Sequence, residues 1–147
     1  MENTRELLHM LTRRFGVLSK NCCTAGGAEI SLVQSHILYE VSRRHKPSMQ
    51  EIADALGTDI TTFSRQVQSL VKMKLLKKNP DAGDRRVYNL SLTAEGQFIA
   101  ASIDAQMAET FEEIFLHLTE FEKETILRSV RLLNEAMGKS SYAAAVR

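Results

Sequence analysis

Apolar residues recur along this chain at helical spacing, with one short stretch past the middle that alternates instead. Leu7, Leu11, Phe15 and Leu18 predict an amphipathic helix over residues 5–20, and 21–27, with Gly26-Gly27, predicts a loop. Leu32, His36, Tyr39 and Arg43, with Ile37, Leu38 and Val41 interleaved, predict a second helix over about 31–44. Its apolar residues lie on more than one side, which implies a well-buried helix. In Pro47-Ser48-Met49-Gln50-Glu51, Ser48 is placed to cap a third helix and Glu51 to complete a capping box, with Gly57 as the stop. Asp59 starts a fourth helix, 59–73, on which Ile60, Phe63, Val67, Leu70 and Val71 share one face. Two strands follow, 75–78 and 86–92, around a turn at 79–84. Thr93 caps a long helix to about residue 117. Thr119 and Glu122 form a second capping box, opening a last helix to about Met137, with Gly138 as its stop and 139–147 as a loose tail. The expected fold class is mainly α with a small β-wing.

The polar positions carry the chemistry. On the fourth helix Thr61, Arg65, Gln68 and Lys72 form a stripe flanked by Thr62, Ser64 and Ser69. Cation, amide and hydroxyl are the groups that contact phosphates and base edges. No acidic residue occurs between Asp59 and Asp81, where phosphate would repel one. The strand pair carries Asp84-Arg85-Arg86 at its tip, followed by Val87-Tyr88-Asn89-Leu90-Ser91-Leu92-Thr93, in which Tyr88, Leu90 and Leu92 fall on one face. Arginines on a narrow hairpin suit a phosphate backbone or a narrow groove. Helix, turn, helix and arginine-tipped hairpin form the outline of a winged helix-turn-helix that binds double-stranded DNA, with Ser48 at the start of the third helix a further candidate contact.

Charge sharpens this picture. The net charge is +1 over 147 residues, yet residues 43–92 hold 10 basic and 5 acidic side chains, while 93–147 hold 5 and 9. A basic middle beside an acidic end is the asymmetry expected where one part meets a polyanion. At 44% hydrophobic and 25% charged, the chain is expected to form one globular domain. The longest uncharged run, Ile30 to Tyr39, is too short to span a bilayer, and no signal peptide is evident, so a cytoplasmic location without membrane contact is expected. No nucleophile elbow, phosphate loop, dinucleotide glycine pattern or HExxH is present, so neither an enzyme nor a cofactor is expected. Glu112, Glu113, Glu120, Glu122 and Glu124 read as a solvated face.

Several segments together resemble the multiple-antibiotic-resistance regulator (MarR) family. They are Ile52-Ala53-Asp54-Ala55-Leu56-Gly57, the helix from Asp59 to Leu70, Leu75-Leu76-Lys77-Lys78, Asp84-Arg85-Arg86, and Leu90-Ser91-Leu92-Thr93-Ala94-Glu95-Gly96. The resemblance implies a homodimeric transcription factor, usually a repressor released by a ligand, metal or oxidant. It implies that helix 59–73 enters the major groove and that Arg86, with Arg85, reaches the minor groove or backbone, Asp84 orienting an arginine. It further implies one MarR-like domain over 1–147, with a DNA-binding lobe at 31–92 and dimerisation helices within 1–30 and 93–138. Where the family often carries an acidic residue and then a glycine after Leu70, this chain has Val71 and Lys74. Val71 is expected on the apolar face.

The effector is open among three classes. Adjacent Cys22 and Cys23 suit a thiophilic ion or oxidation, according to their thiolate character. In the zinc-sensing branch of the family, a cysteine after the first helix and a histidine early in the second are ligands, which resembles Cys23 and His36. Ser35 replaces the adjacent glutamate, and 93–116 contains no histidine. A softer ion such as Cu(I) needs fewer ligands. The organic-peroxide branch carries its cysteine near position 7, which is Leu7 here. Alternatively, Phe15, His36, Tyr39 and Phe98 line a cleft for a small aromatic ligand, or are plain core, His36 then being a hydrogen-bonded core histidine.

Overall fold

The computed structural model describes residues 3–22 and 27–140, with side chains throughout except at 19–22. The order is α1 (Thr4–Cys22), α2 (Leu32–Arg43), α3 (Met49–Leu56), α4 (Ile60–Lys72), β1 (Leu76–Pro80), β2 (Tyr88–Leu92), α5 (Ala94–Phe115) and α6 (Glu120–Lys139). The fold is mainly α with a two-stranded wing.

Local chemistry sets the boundaries. Asn3 Oδ1 accepts from the Glu6 amide at 2.8 Å to start α1. Ser31 and Gln34 exchange bonds in a capping box that opens α2. Ser48 caps α3 through the Glu51 amide at 3.1 Å, but Glu51 makes no return bond, so only half of the expected box forms. Thr119 and Glu122 form both halves of theirs.

Both helices of the helix-turn-helix end in Schellman turns. After α3, Gly57 stands at φ 64°, Gly57 N–H reaches Asp54 O, and Thr58 N–H reaches Ala53 O. After α4, Lys74 stands at φ 63°, its N–H reaches Val71 O, and Leu75 N–H reaches Leu70 O, both at 3.0 Å. The glycine frequent at this point in the family thus has a physical reason, and Lys74 occupies the position without that freedom.

Leu76 pairs with Leu92 and Pro80 with Tyr88 across the antiparallel wing. A third rung comes from the segment before α3: Leu90 N–H donates to Pro47 O at 2.8 Å, and Ser48 bridges Asn89. Gly96 fixes the wing to α5, because a Cβ there would collide with the Leu75 carbonyl. That carbonyl accepts the Thr93 amide at 3.1 Å, and Thr93 Oγ1 donates to Lys74 O at 2.7 Å.

The core lies between α2, α3, α4, the wing base and the first half of α5. Ile37, Leu38, Ile52, Phe63, Val67, Leu70, Leu75, Leu76, Leu90 and Ile99 are almost fully buried. Three sequence expectations change, for α2, for α4 and for the end of α6. Helix α2 buries one face only; Leu32 and Tyr39 are exposed, because they face a cavity rather than the core. Ile60 and Val71 flank the apolar arc of α4 and are exposed, the arc itself being Phe63, Val67 and Leu70. In β2 only Leu90 is fully buried, while Tyr88 lies on the surface with Lys78 Nζ 4.4 Å from its ring centre. Gly138 does not stop α6, since no positive φ occurs there; the helix runs to Lys139 and Ser140 caps it by binding Met137 O. The assigned tail therefore begins inside the helix at Lys139, and 141–147 lie outside the described residues.

Outside the core, α1 packs on α5 through Phe15 and Phe111, whose ring centres are 6.0 Å apart. No residue of α6 is buried. No described helix is long and apolar enough to cross a membrane.

Candidate nucleic-acid interface

Because Phe63, Val67 and Leu70 are driven into the core, the opposite face of α4 must point outward. Thr61, Thr62, Arg65, Gln68 and Lys72 are exposed there, and Ser64 is half-buried. The helix is held in place from both sides. Asp59 Oδ1 accepts the Thr62 amide at 2.9 Å and Oδ2 accepts the Thr62 hydroxyl at 2.8 Å. These bonds hold the Asp59 carboxyl below its usual range and commit the Thr62 hydroxyl proton to the cap. Further along, Gln34 Nε2 on α2 donates to Ser69 Oγ at 3.2 Å.

The wing tip is built on Asp81, which sequence reasoning passed over as part of the turn. Its Oδ2 accepts the amides of Gly83 and Asp84, and its Oδ1 accepts Asn89 Nδ2 at 2.8 Å. Asn89 foremost, then the two amides, lower its pKa. Beyond it, Asp84 Oδ1 accepts both the Arg86 amide at 3.0 Å and Arg86 Nε at 3.2 Å. The same pairing lowers the Asp84 pKa. The guanidinium is therefore oriented although the Arg86 side chain is 91% exposed. Arg65, Lys72 and Arg85 have no ion-pair partner among the described residues.

A groove of about 360 Å³ joins the start of α3, α4 and the wing, and brings Ser48, Ser64 and Arg86 together. Gln50, Lys78 and Tyr88 share it and were not singled out from sequence. The available signals were the basic pair Lys77-Lys78 on a short strand and an amide one residue before Glu51. Thr61, Gln68 and Lys72 lie on α4 outside this groove, and Arg85 sits at the wing tip.

A second cavity, of about 670 Å³, lies between α1, α2 and α5. Phe15, His36 and Tyr39 line it as expected of the cleft, with Leu32, Ile103 and Met107. Phe98 does not; it is 62% exposed. His36 is an exposed wall residue rather than a core histidine. At one edge Arg43 Nη2 meets Asp104 Oδ2 at 3.1 Å, with the guanidinium carbon 4.5 Å from the Tyr39 ring centre. The candidate thiol site falls elsewhere: the Cys22 side chain and Cys23 lie outside the described residues. Among the described residues no three His, Cys, Asp or Glu side chains cluster to hold a metal ion.

The family model described as MarR family matches residues 29–87, which span α2, the helix-turn-helix and the wing tip. Over this segment the chain is similar to the MarR family. Solved structures extend the likeness in fold across nearly the whole chain. A MepR variant from S. aureus superposes with a TM-score of 0.77 at 21% identity, covering 92% of this chain and 99% of that one. FabT from Streptococcus pneumoniae, solved in complex with DNA, gives 0.80 at 17% identity, covering 92% and 97%. PcaV from Streptomyces coelicolor, solved with its natural ligand, gives 0.70 at 20% identity, covering 92% and 97%.

Proposed function

We propose that this chain is a MarR-type regulator: a homodimeric, sequence-specific transcriptional repressor that binds a near-palindromic DNA operator and is released by a small effector. The observation that carries the reading is the outward face of α4, uncharged or cationic along its length, set beside a wing whose Arg86 is oriented by Asp84. The FabT complex with DNA supports the binding role, and the family supports regulation rather than catalysis. In this reading Thr61, Arg65, Gln68 and Lys72 face the major groove. Ser48, Thr62 and Ser64 flank them near the phosphates, and Arg85 and Arg86 reach the backbone or minor groove. Residues 31–92 form the DNA-binding lobe, and the helices within 1–30 and 93–138 join two subunits. Half-site centres then lie about one helical turn, ~34 Å, apart. In this reading the protein acts in the cytoplasm, on DNA.

The cavity beside His36 and Tyr39 favours an organic effector over thiol chemistry at Cys22 and Cys23, since it is a formed space between the lobe and α1. PcaV, solved with its natural ligand, supports a ligand-responsive fold.

The test is fluorescence anisotropy of the reduced protein on its own upstream DNA and on random DNA across a salt series. Tight, sequence-dependent binding that weakens steeply with salt is expected. Arg86→Ala should weaken binding to every sequence and lower the salt slope by about 1; Gln68→Ala should cost ~1–3 kcal/mol on the operator only. Equal losses on operator and random DNA for Gln68→Ala would remove its base-reading role. Adding Zn(II), Cu(I) or a thiol oxidant, with a Cys22→Ser/Cys23→Ser control, separates the thiol mechanism. Release that requires those cysteines would restore it.

A further inference from the structure

We infer that Lys78 grips a backbone phosphate of DNA in the groove between the start of α3, α4 and the wing, and that Tyr88 is its positioning residue. The inference rests on the DNA-binding reading and adds a contact that neither the outward face of α4 nor the wing tip supplies.

The pleat of the wing tells two adjacent lysines apart. Across the hairpin Leu76 pairs with Leu92, Lys78 with Leu90 and Pro80 with Tyr88, and directly opposed residues share a face. Leu76 and Leu90 on that face are buried in the core. Further out along the same face the core ends, and Lys78 and Tyr88 line the groove instead. Lys77, opposite Ser91, lies on the other face and does not line it.

The Lys78 ammonium is placed without being neutralised. Its Nζ lies 4.4 Å from the centre of the Tyr88 ring, and an aromatic face holds a cation while leaving its full charge. Arg43, Arg44 and Arg86 each meet a carboxylate, whereas Lys78 has no ion-pair partner among the described residues. None of the described residues lining the groove is acidic. Ser48 and Ser64 add hydroxyls, and Arg86 closes the side toward the tip. Ile60 and Val87, 43% and 36% exposed, line the same groove and supply apolar surface that the core does not use. Cations and hydroxyls interleaved with apolar side chains match a sugar-phosphate strand, in which anionic phosphates alternate with apolar deoxyribose faces. A free phosphate ion would leave Ile60 and Val87 in water.

The test compares Lys77→Gln with Lys78→Gln in the full chain, by fluorescence anisotropy on its own upstream DNA and on random duplex across a salt series. The two variants lose the same charge from neighbouring positions on one strand. Lys78→Gln should weaken binding to both duplexes by the same factor, about 5-fold or more, and lower the salt slope by about 1 per bound subunit. Lys77→Gln should change affinity by about 2-fold at most, because a charge pointing away from the strand acts only through screened solvent. Tyr88→Leu should lose about 2- to 5-fold, and this loss should vanish in the Lys78→Gln background. Tyr88→Phe keeps the ring face and should keep the affinity. Equal losses for the two lysines, an unchanged slope in Lys78→Gln, or a Tyr88→Leu loss that persists without Lys78 would overturn the inference. Should Tyr88→Leu not fold, the comparison of the two lysines decides. A phosphate contact carries no sequence information, so the random duplex keeps the two readings apart. The Lys78 effect on random DNA without any preference for the upstream DNA would sink the sequence-specific reading and leave this one standing. Preference for the upstream DNA with equal losses for both lysines would do the reverse.

Discussion

Lys74 and Gly96 sit at the two ends of one small structural problem, how α4, the wing and α5 meet around Leu75. At Lys74 the chain turns through φ 63° to close the Schellman turn after α4. A side chain there costs about 1–2 kcal/mol, while replacing it with glycine adds roughly 0.5–1 kcal/mol of backbone entropy to the unfolded state. The balance favours glycine. Lys74→Gly should raise stability by about 0.5–1 kcal/mol, read as a higher denaturation midpoint in urea with an unchanged slope. A fall in the midpoint would mean that the Lys74 side chain contributes more than its backbone costs. Gly96 is the opposite case. Its missing Cβ lets α5 lie against the Leu75 carbonyl, so Gly96→Ala must push α5 away from the wing base. A loss of about 3 kcal/mol is expected, with the Thr93 bonds to Lys74 and Leu75 weakened together. Hydrogen exchange at the Thr93 amide distinguishes this from simple loss of helix propensity, which would leave that amide protected.

At the scale of elements, the wing is a loop folded around one carboxylate. Asp81 holds both arms of the tip, and Asp84 holds Arg86. Both carboxyls, and Asp59 at the start of α4, lie below their usual range. A depressed carboxyl contributes order that is complete above its unfolded value, near pH 4. That contribution is lost as pH falls through the lower folded value. The wing tip and the first turn of α4 should therefore loosen below about pH 4, ahead of the buried core. Amide exchange or line broadening at Gly83, Arg86 and Thr62 would follow it; loosening that begins near neutrality would point to another group. These elements were legible in the sequence to different degrees. The helices, the caps at Asp59, Thr93 and Thr119, and the arginine tip follow from spacing and turn chemistry, which act over a few residues. Asp81 was not legible as an organiser, because its partner Asn89 is reached only after the hairpin closes. His36 and Tyr39 were ambiguous because core and cavity walls have the same composition. Val71 and Ile60 were misplaced because the edge of an apolar arc is set by what packs against it.

On the scale of the whole molecule, the core covers only part of the apolar pattern. The buried cluster runs from Ile30 to Ile103, yet Leu7, Leu8 and Leu11 on α1 and Ile126, Val130, Leu133 and Met137 on α6 remain exposed. The α6 residues recur at intervals of four, three and four, a seam along one side of a 20-residue helix that buries nothing. An isolated helix of this length is marginal in water, and its apolar stripe needs cover. In the proposed dimer a second copy would supply the cover and would couple two α4 faces, so that one half-site raises the local concentration of the other. Val130→Glu combined with Leu133→Glu places two charges on the seam and touches no core residue. In analytical ultracentrifugation the unaltered chain should sediment as a dimer and the variant as a monomer with reduced helicity. Operator affinity should fall by about 10²-fold or more, while single half-site binding and the Tyr88 and Leu90 resonances of the wing stay unchanged. A monomeric unaltered chain, or a variant that still dimerises, would move the subunit contact away from α6. Loss of half-site binding in the variant would mean that α6 supports the lobe itself rather than joining two of them.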